Sequence, residues 1–260
     1  MNRNYKETLV ISFLLFLVMI IFWQMICYFK LIDVFWLPSP HKFFETAFKL
    51  FKLGVIQENI FITLRRFLPG FILGSLLAIV IGSFCGTSRK LSVFLEPLIY
   101  LMLPIPRTAL LPFLVLIFGT GISSKIIYVA MGAFFPVVIN TISGVSQVNK
   151  DFLEVAKHYG AKGWRLYRRV ILPGSLPAIF IGLRMSIGLS LTYVTVVEFL
   201  TTTDGIGAMI WLSLQSLRMD KLFIGVAVIA LLNTSFILLL KGFEWLLVPW
   251  NEDKQNLAGY

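Results

Sequence analysis

Uncharged stretches of about 20 residues dominate this sequence and limit what it can fold into, because a helix needs roughly that length of apolar residues to cross a bilayer. Hydrophobic residues make up 58% of the 260 residues and charged residues only 14%. In soluble domains the charged share is about a quarter. The sequence therefore predicts an all-α integral membrane protein.

Six membrane-spanning helices are predicted from these stretches. Their ranges are 9–29, 67–88, 108–124 (extended backwards by 91–103), 126–149, 177–200 and 222–240. We divide the chain into a short N-terminal segment (1–8), a single membrane domain (9–248) and a C-terminal tail (249–260). The domain contains a polar segment, residues 150–173.

Lysine and arginine concentrate beside alternate loops. Arg3 and Lys6 precede the first span, Arg89 and Lys90 follow the second, and residues 150–173 lie between the fourth and fifth. Because positively charged loops stay in the cytoplasm, both termini and residues 150–173 are expected on the cytoplasmic side. The loops on the opposite side weaken this difference in positive charge only slightly, through Lys30, Lys42, Lys49 and Lys52.

Residues 150–173, called the basic segment below, predict two short helices joined at a glycine. Asp151 suits the N-cap of the first helix, with Glu154 three residues later as in a capping box. Gly160 can adopt a positive φ and end that helix. Pro173 is expected to stop the second helix and turn the chain back to the membrane. The segment is predicted to meet a partner in the cytosol.

Prolines interrupt the third predicted span. Pro104, Pro106 and Pro112 each lack a helical donor, so we expect a kinked or broken helix. Irregular backbone at membrane depth needs protein or a watery cavity beside it. Pro104, Pro106 and Arg107 are therefore candidates for lining a transport pathway. The alternative is a packing kink with Arg107 snorkelling to the interface.

Polar groups inside the other spans also need an explanation, because charges in membrane helices are expensive. Arg184 and Glu198 lie in the fifth span and Asn140 lies in the fourth. Each is interpreted either as a pathway residue or as a structural partner of another helix. Arg65 and Arg66, just before the second span, are interpreted as snorkelling anchors.

An amphipathic helix is predicted between the first two spans. Ser39 suits its N-cap and Pro40 its first position. Phenylalanines form one face and lysines the other over residues 40–52. Either this helix lies along the outer interface of the membrane or it packs on its own bundle.

No group of residues suggests catalysis or a metal site. The sequence has two histidines, His41 and His158, and no Cys/His cluster. It also lacks the glycine-rich run that holds nucleotide phosphates. A basic chain can bind nucleic acid, but the flanking spans argue against that partner. We expect no catalytic residue, no metal and no cofactor in this chain.

The basic segment resembles the EAA loop of binding-protein-dependent ABC importer permeases. That pattern is Glu-Ala-Ala, x3, Gly, x9, Ile-x-Leu-Pro, and this chain has Glu154-Val155-Ala156, Gly160 and Val170-Ile171-Leu172-Pro173 at the same spacing. Val155 and Val170 are mild departures. LPSP at 37–40 and the segments 96–125 and 132–145 are similar to the nitrate, sulfonate and taurine branch of the family.

The resemblance implies a six-helix MetI-like bundle that forms the solute pathway in a bacterial or archaeal plasma membrane. It implies four partners: a second copy of the chain, two cytoplasmic subunits that bind ATP and Mg, and an external solute-binding protein. The ATPase-coupling residues would be Glu154, Ala156, Gly160, Ala161, Leu172 and Pro173. A small anion such as nitrate, a sulfonate or taurine is the expected solute, and a vitamin precursor or aromatic compound is the alternative.

A stand-alone secondary carrier or channel is the competing interpretation. Such a protein would couple transport through intramembrane charges and would need no cytoplasmic docking segment. Inverted internal repeats would favour it, and the hydropathy pattern contains none. We therefore predict the membrane-spanning subunit of an ATP-driven importer.

Overall fold

Within the described part of the chain, the secondary structure is entirely helical. The computed structural model describes residues 3–29, 31–33, 35–201 and 203–250, with backbone alone for residues 3–10, 12, 13 and 16. The helices are α1 (Arg3–Tyr28), α2 (Pro40–Lys52), α3 (Val55–Thr87), α4 (Arg89–Met102), α5 (Leu111–Phe118), α6 (Ile122–Ser146), α7 (Lys150–His158), α8 (Gly163–Leu166), α9 (Leu172–Thr201), α10 (Ile206–Gln215) and α11 (Met219–Leu247). A 3-10 turn precedes α5 at Arg107–Leu110, and a π-helical turn joins α8 to α9 at Tyr167–Ile171. The all-α prediction is confirmed.

Among the described residues, 4 helices are long and apolar enough to cross a membrane alone. They are α3, α6, α11 and the continuous helix Gly163–Thr201, which contains α8, the π turn and α9. A fifth candidate crossing is the pair of α4 and Arg107–Phe118, whose axes are bent by 90°. Helix α1 has 26 residues, but its described apolar part, Leu17–Tyr28, is shorter than a span. The six predicted spans overlap α1, α3, the bent pair, α6, α9 and α11.

Helices α3 and α6 run parallel and touch along most of their length. A Cβ added at Gly70 would lie 2.7 Å from the Ile126 carbonyl oxygen, and one added at Gly86 would lie 2.6 Å from Val145 Cβ. The contacts therefore advance in the same direction on both helices. Two parallel helices that follow each other need a return crossing between them, and the bent pair provides it. The predicted break in the third span is confirmed.

Small residues at every fourth position of α3 permit this close approach. They are Gly70, Gly74, Ala78, Gly82 and Gly86. A Cβ at Gly74 would overlap the carbonyl oxygen of Ala130, and one at Gly82 would lie 2.7 Å from Thr141 Cβ. Membrane helices use such small-residue spacing to bring their backbones together.

Helix α9 packs antiparallel on the other side of α6 and completes the centre of the bundle. A Cβ at Gly144 would lie 2.6 Å from Ala178 Cβ, and one at Gly132 would lie 2.9 Å from a ring carbon of Tyr193. Helix α11 covers α9, where Arg184 pairs with Glu244 at 3.5 Å. Of the alternatives for Arg184, the structure therefore supports structural pairing.

Three predicted boundaries are wrong. Helix α3 begins at Val55 and not near residue 67, because one face of its first turns is buried in the bundle through Ile56, Thr63 and Arg66. The third span ends at Phe118 and not at residue 124, since Gly119 has a φ of 73° and ends α5. The fifth span begins well before residue 177, as the continuous helix Gly163–Thr201 includes both Pro173 and Pro177.

Helix α2 packs on its own bundle. Its N-cap is Ser39 as predicted, with the Lys42 N–H donating to Ser39 Oγ at 3.4 Å. Phe43, Ala47 and Leu50 on its inner face pack in a hydrophobic cluster with residues of α3 and α11. A separate face carries exposed phenylalanines: Phe44, Phe48 and Phe51.

Candidate functional site

The basic segment begins with a capped helix, α7. The N-cap is Asn149, whose Oδ1 accepts the Asp151 N–H at 2.8 Å. The predicted N-cap at Asp151 is therefore wrong by two residues. Asp151 instead lies in the first turn, where a negative charge is favourable at the positive end of the helix dipole. Glu154 is exposed one turn later.

Gly160 ends α7 with a φ of 77°, so the predicted positive φ is confirmed. The Gly160 N–H donates to the Lys157 carbonyl and the Ala161 N–H donates to the Ala156 carbonyl, both at 2.9 Å. This pair of hydrogen bonds is the Schellman motif. A Cβ at Gly160 would have nothing within 4 Å, so backbone conformation and not space requires glycine here.

The second half of the basic segment continues directly into the membrane. The prediction that Pro173 stops a helix is wrong, because Pro173 is the second residue of α9. A proline inside a helix lacks one donor and crowds the preceding turn. The π-helical turn Tyr167–Ile171 ends two residues before Pro173, where the backbone hydrogen bonding has already left the α pattern. Leu172 and Pro173 are half-buried.

The turn at Gly160 between α7 and α8 is called the Gly160 elbow below. The basic segment exposes aromatic side chains to solvent on both sides of this elbow. Tyr159 is 90% exposed, Trp164 71% and Phe152 66%. Basic side chains surround them at the exposed positions Lys150, Lys157, Lys162, Arg165, Arg168 and Arg169. Exposed aromatic groups with a polar rim are typical of protein interaction sites.

The break in the third span places Arg107 against α6. The Arg107 guanidinium lies 4.4 Å from the centre of the Phe135 ring, a cation–π contact. Its Nε is buried and has no hydrogen-bond partner within the described residues. Pro104 and Pro106 are exposed. Arg107 thus contacts α6, which differs from simple snorkelling to the interface.

Asn140 lies within the contact between α6 and α9. Asn140 Nδ2 donates to the Pro136 carbonyl at 2.8 Å. A Cβ added at Gly182 of α9 would lie 2.9 Å from the Asn140 Cβ. The described hydrogen bonds of Asn140 do not join it to Arg107. The predicted pathway residues are therefore distributed along the bundle, and the pathway role of each stays a prediction.

Glu198 lies in a buried network at the bundle end opposite the basic segment. Its side chain is 0% exposed. Arg66 Nη1 donates to Glu198 Oε1 at 2.7 Å, and the Gly207 N–H donates to Oε2 at 2.9 Å. Thr63 Oγ1 lies 3.0 Å from both oxygens. This geometry supports the interpretation of Glu198 as a structural partner of another helix and not as a pathway residue.

Arg66 connects Glu198 to the loop after α9. Its Nη2 lies 2.6 Å from Asp204 Oδ1, and its Nη1 donates to the Asp204 carbonyl at 2.9 Å. The Arg66 side chain is only 8% exposed, so its interpretation as a snorkelling anchor is wrong. Its neighbour Arg65 is exposed.

A polar cleft of about 520 Å³ opens beside this network. It is lined by Arg66, Lys125, Leu200, Thr201, Thr203 and Asp204. Lys125 Nζ donates to the Thr120 carbonyl at 3.0 Å. Of the charged residues that line the cleft, Arg66 pairs with Asp204.

The comparisons with known proteins agree with the fold and the basic segment. Residues 74–245, more than half of the chain, match the family of binding-protein-dependent transport system inner membrane components. The chain belongs to this family. It is a multi-pass membrane protein and the permease subunit of an ABC importer.

Relatives of the permease carry different solute names. It is 34% identical over 242 residues to the putative aliphatic sulfonates transport permease SsuC of Bacillus subtilis, covering 92% of this chain and 87% of that one. It is 29% identical over 243 residues to the taurine transport system permease TauC of Escherichia coli, covering 92% and 88%. The riboflavin transport system permease RibX of Chloroflexus aurantiacus is 30% identical over 234 residues, covering 90% and 87%.

Sequence reasoning missed the buried network around Glu198 and the start of α10 in this permease. Asn59, Thr63 and Arg66 are spaced four and three residues apart, so they lie on one face of α3. A polar stripe at that spacing at the start of an apolar helix signals a buried network. The polar stripe was not interpreted as buried because hydropathy alone places residues 55–66 outside the span.

Proposed function

We propose that the permease works as a homodimer with two cytoplasmic ATPase subunits and an external solute-binding protein. The ATPase subunits bind the basic segment and hydrolyse ATP, while this chain contributes no catalytic group. Both termini lie in the cytoplasm, so the end with Glu198 and Asp204 faces outward. The single observation that carries the proposal is the Gly160 elbow with its exposed aromatic groups.

The shape of the basic segment suits a docking surface. The Schellman motif fixes the angle at which α7 leaves the elbow, so Phe152 and Tyr159 have a defined position relative to α9. Aromatic anchors of this kind dominate binding energy at protein interfaces. The surrounding lysines and arginines favour an acidic rim on the partner and speed its association. The continuous helix Gly163–Thr201 then carries any displacement into the membrane.

Gly160→Val is expected to disrupt docking without affecting the bundle. A β-branched residue at a φ of 77° is strained, and left-handed backbone costs L-residues about 1–2 kcal/mol, so the elbow should open. Co-purification of the ATPase subunit should fall by about tenfold. ATPase activity coupled to the loaded binding protein should fall with it in proteoliposomes.

Gly242→Ala is the control for adding a side chain at a glycine that has as much free space around it as Gly160. Gly242 also has nothing within 4 Å of an added Cβ, but its φ is not positive. This variant should transport like the original chain. Normal ATPase coupling in Gly160→Val would refute the docking role of the elbow.

A sulfonate-type anion is the proposed solute class. The support is the names of the SsuC and TauC relatives, together with the half-buried Arg107 guanidinium, whose Nε has no partner among the described residues. The RibX relative favours a vitamin-like aromatic solute as a second candidate. Thermal stabilisation of the cognate binding protein by taurine, an alkanesulfonate, nitrate or riboflavin would discriminate between them.

Arg107→Ala is expected to reduce uptake several-fold while the complex still assembles. The change removes the guanidinium at the break in the third span and leaves the Phe135 ring uncovered. A cation–π contact contributes about 0.5–2 kcal/mol. Uptake by proteoliposomes measures the effect, with Arg107→Lys as the control that keeps the charge. Unchanged uptake kinetics in Arg107→Ala would leave the packing interpretation.

A stand-alone carrier is the contrasting proposal, and one measurement separates the two. The importer requires ATP and its ATPase subunits for uptake. Solute accumulation by the reconstituted permease alone, driven by an ion gradient, would contradict the importer mechanism.

A further inference from the structure

Side chains of two other helices hold the start of α10. The first N–H groups of a helix have no intrahelical partner. At the start of α10 the N–H groups of the N-cap Gly205 and of the first two helical residues all have side-chain acceptors at 2.9 Å. Asn59 Oδ1 accepts from Gly205, Thr63 Oγ1 from Ile206 and Glu198 Oε2 from Gly207. Helices α3 and α9 therefore cap α10 from outside.

Charges reinforce the same place. The Glu198 carboxylate lies at the N-terminus of α10, the positive end of its dipole, where a negative charge is favourable. Arg66 pairs with this carboxylate and with Asp204 on the loop before α10. A buried charge needs such a partner in a low-dielectric interior. The loop and the helix start are thus fixed to α3 by the same guanidinium.

Close packing leaves α10 little freedom at this end. A Cβ added at Gly207 would lie 2.5 Å from the Thr195 carbonyl oxygen. Helix α10 has 10 residues, about 15 Å, which is half of what a membrane crossing needs. It therefore begins and ends near one face of the bundle, between α9 and α11. Its fixed start determines the position of the loop that lines the polar cleft.

We propose that Glu198 and Arg66 are positioning residues of the transport cycle, which keep the start of α10 and the Asp204 loop fixed to α3 and α9. Glu198 acts chiefly as the acceptor that caps α10, and Arg66 orients that carboxylate. The proposal rests on the proposed importer function, in which this face of the bundle receives the solute. A loose α10 would then leave the receiving face without a defined shape.

Two variants separate charge pairing from capping. Glu198→Gln keeps an oxygen that accepts the Gly207 N–H, and Arg66 keeps Asp204 as its charge partner. The charge exchange Arg66→Glu with Glu198→Arg is made together with Asp204→Asn, so that the new carboxylate does not meet the one that now pairs with Arg66. It keeps one pair of opposite charges but removes the acceptor, because arginine accepts no hydrogen bond. If capping is the essential role, the exchange is the more damaging change.

The permease–ATPase complex in proteoliposomes provides the readouts. Thr203→Cys places a thiol on the exposed loop, whereas the native Cys27 and Cys85 are buried. In that background the charge exchange is expected to raise labelling by a membrane-impermeant maleimide and lower uptake by about tenfold each, and Glu198→Gln to change either by no more than about threefold. Co-purification of the ATPase subunit should stay constant.

Restored uptake in the charge exchange would overturn the proposal, as would equal damage by Glu198→Gln. Should the exchanged chain fail to assemble, Asn59→Ala with Thr63→Val removes two caps and leaves every charge in place. That double variant is expected to show faster labelling and reduced uptake, and behaviour like the unmodified chain would also refute capping. Labelling needs no solute, so the result is independent of the solute class.

Discussion

Gly74→Ala is expected to be among the most destabilising single-methyl changes in this permease. The added Cβ would overlap the Ala130 carbonyl oxygen and lie 2.9 Å from its Cα, both backbone atoms of α6. Backbone cannot move aside as a side chain does, so α3 and α6 must separate. Overpacking of this kind costs about 1–3 kcal/mol. Thermal unfolding of the purified permease in detergent measures the loss.

Gly188→Ala is the matched control for this change. Gly188 also lies in a membrane helix, but its added Cβ would meet only Asn233 Oδ1, at an ordinary 3.7 Å. Alanine also has the better helix propensity, so the control should keep or slightly raise the unfolding temperature. Equal stability of the two variants would show that α3 and α6 do not need this close contact.

Arg66→Met is expected to cause the second large loss of stability. Methionine fills a similar volume but leaves the Glu198 carboxylate, 0% exposed, without its cation. Breaking a buried ion pair from one side costs about 3–5 kcal/mol. The unfolding temperature in detergent should fall clearly, and the yield of folded permease should fall with it.

The adjacent arginine supplies the control. Arg65 is exposed and Arg66 is buried, so Arg65→Met removes the same charge one position away without opening the network. That variant should remain close to the original stability. A similar loss in both variants would mean that total charge, and not the pair with Glu198, determines stability.

The spans and the backbone of the elbow were accessible from sequence because each depends on local chemistry. Runs of apolar residues identify α3, α6 and α11. The closely spaced prolines predict a kinked or broken third span, which the structure shows as a 90° bend between α4 and Arg107–Phe118. Gly160 directly follows the apolar pattern of the first predicted short helix, and its position at the end of that helix predicts its positive φ. The family pattern added the expected role of this segment, which the geometry leaves as a prediction.

Interactions between distant residues were not accessible in the same way. Arg66 pairs with Glu198 and Asp204 more than 130 residues later, and hydropathy does not show which charges meet. The continuity across Pro173 depends on a π turn that no residue in Tyr167–Ile171 specifies by itself. The four-residue spacing of small residues in α3 was visible, but without a partner helix it did not indicate what it packs on.

The uninterrupted helix Gly163–Thr201 has a thermodynamic consequence. Its 39 residues extend about 58 Å, with Trp164 near one end and Glu198 near the other. With no loop to absorb motion, a tilt imposed at either end is expected to reach the other. In the proposed importer, linkage of this kind is reciprocal. The factor by which nucleotide changes the affinity for the loaded binding protein equals the factor by which that protein changes the affinity for nucleotide.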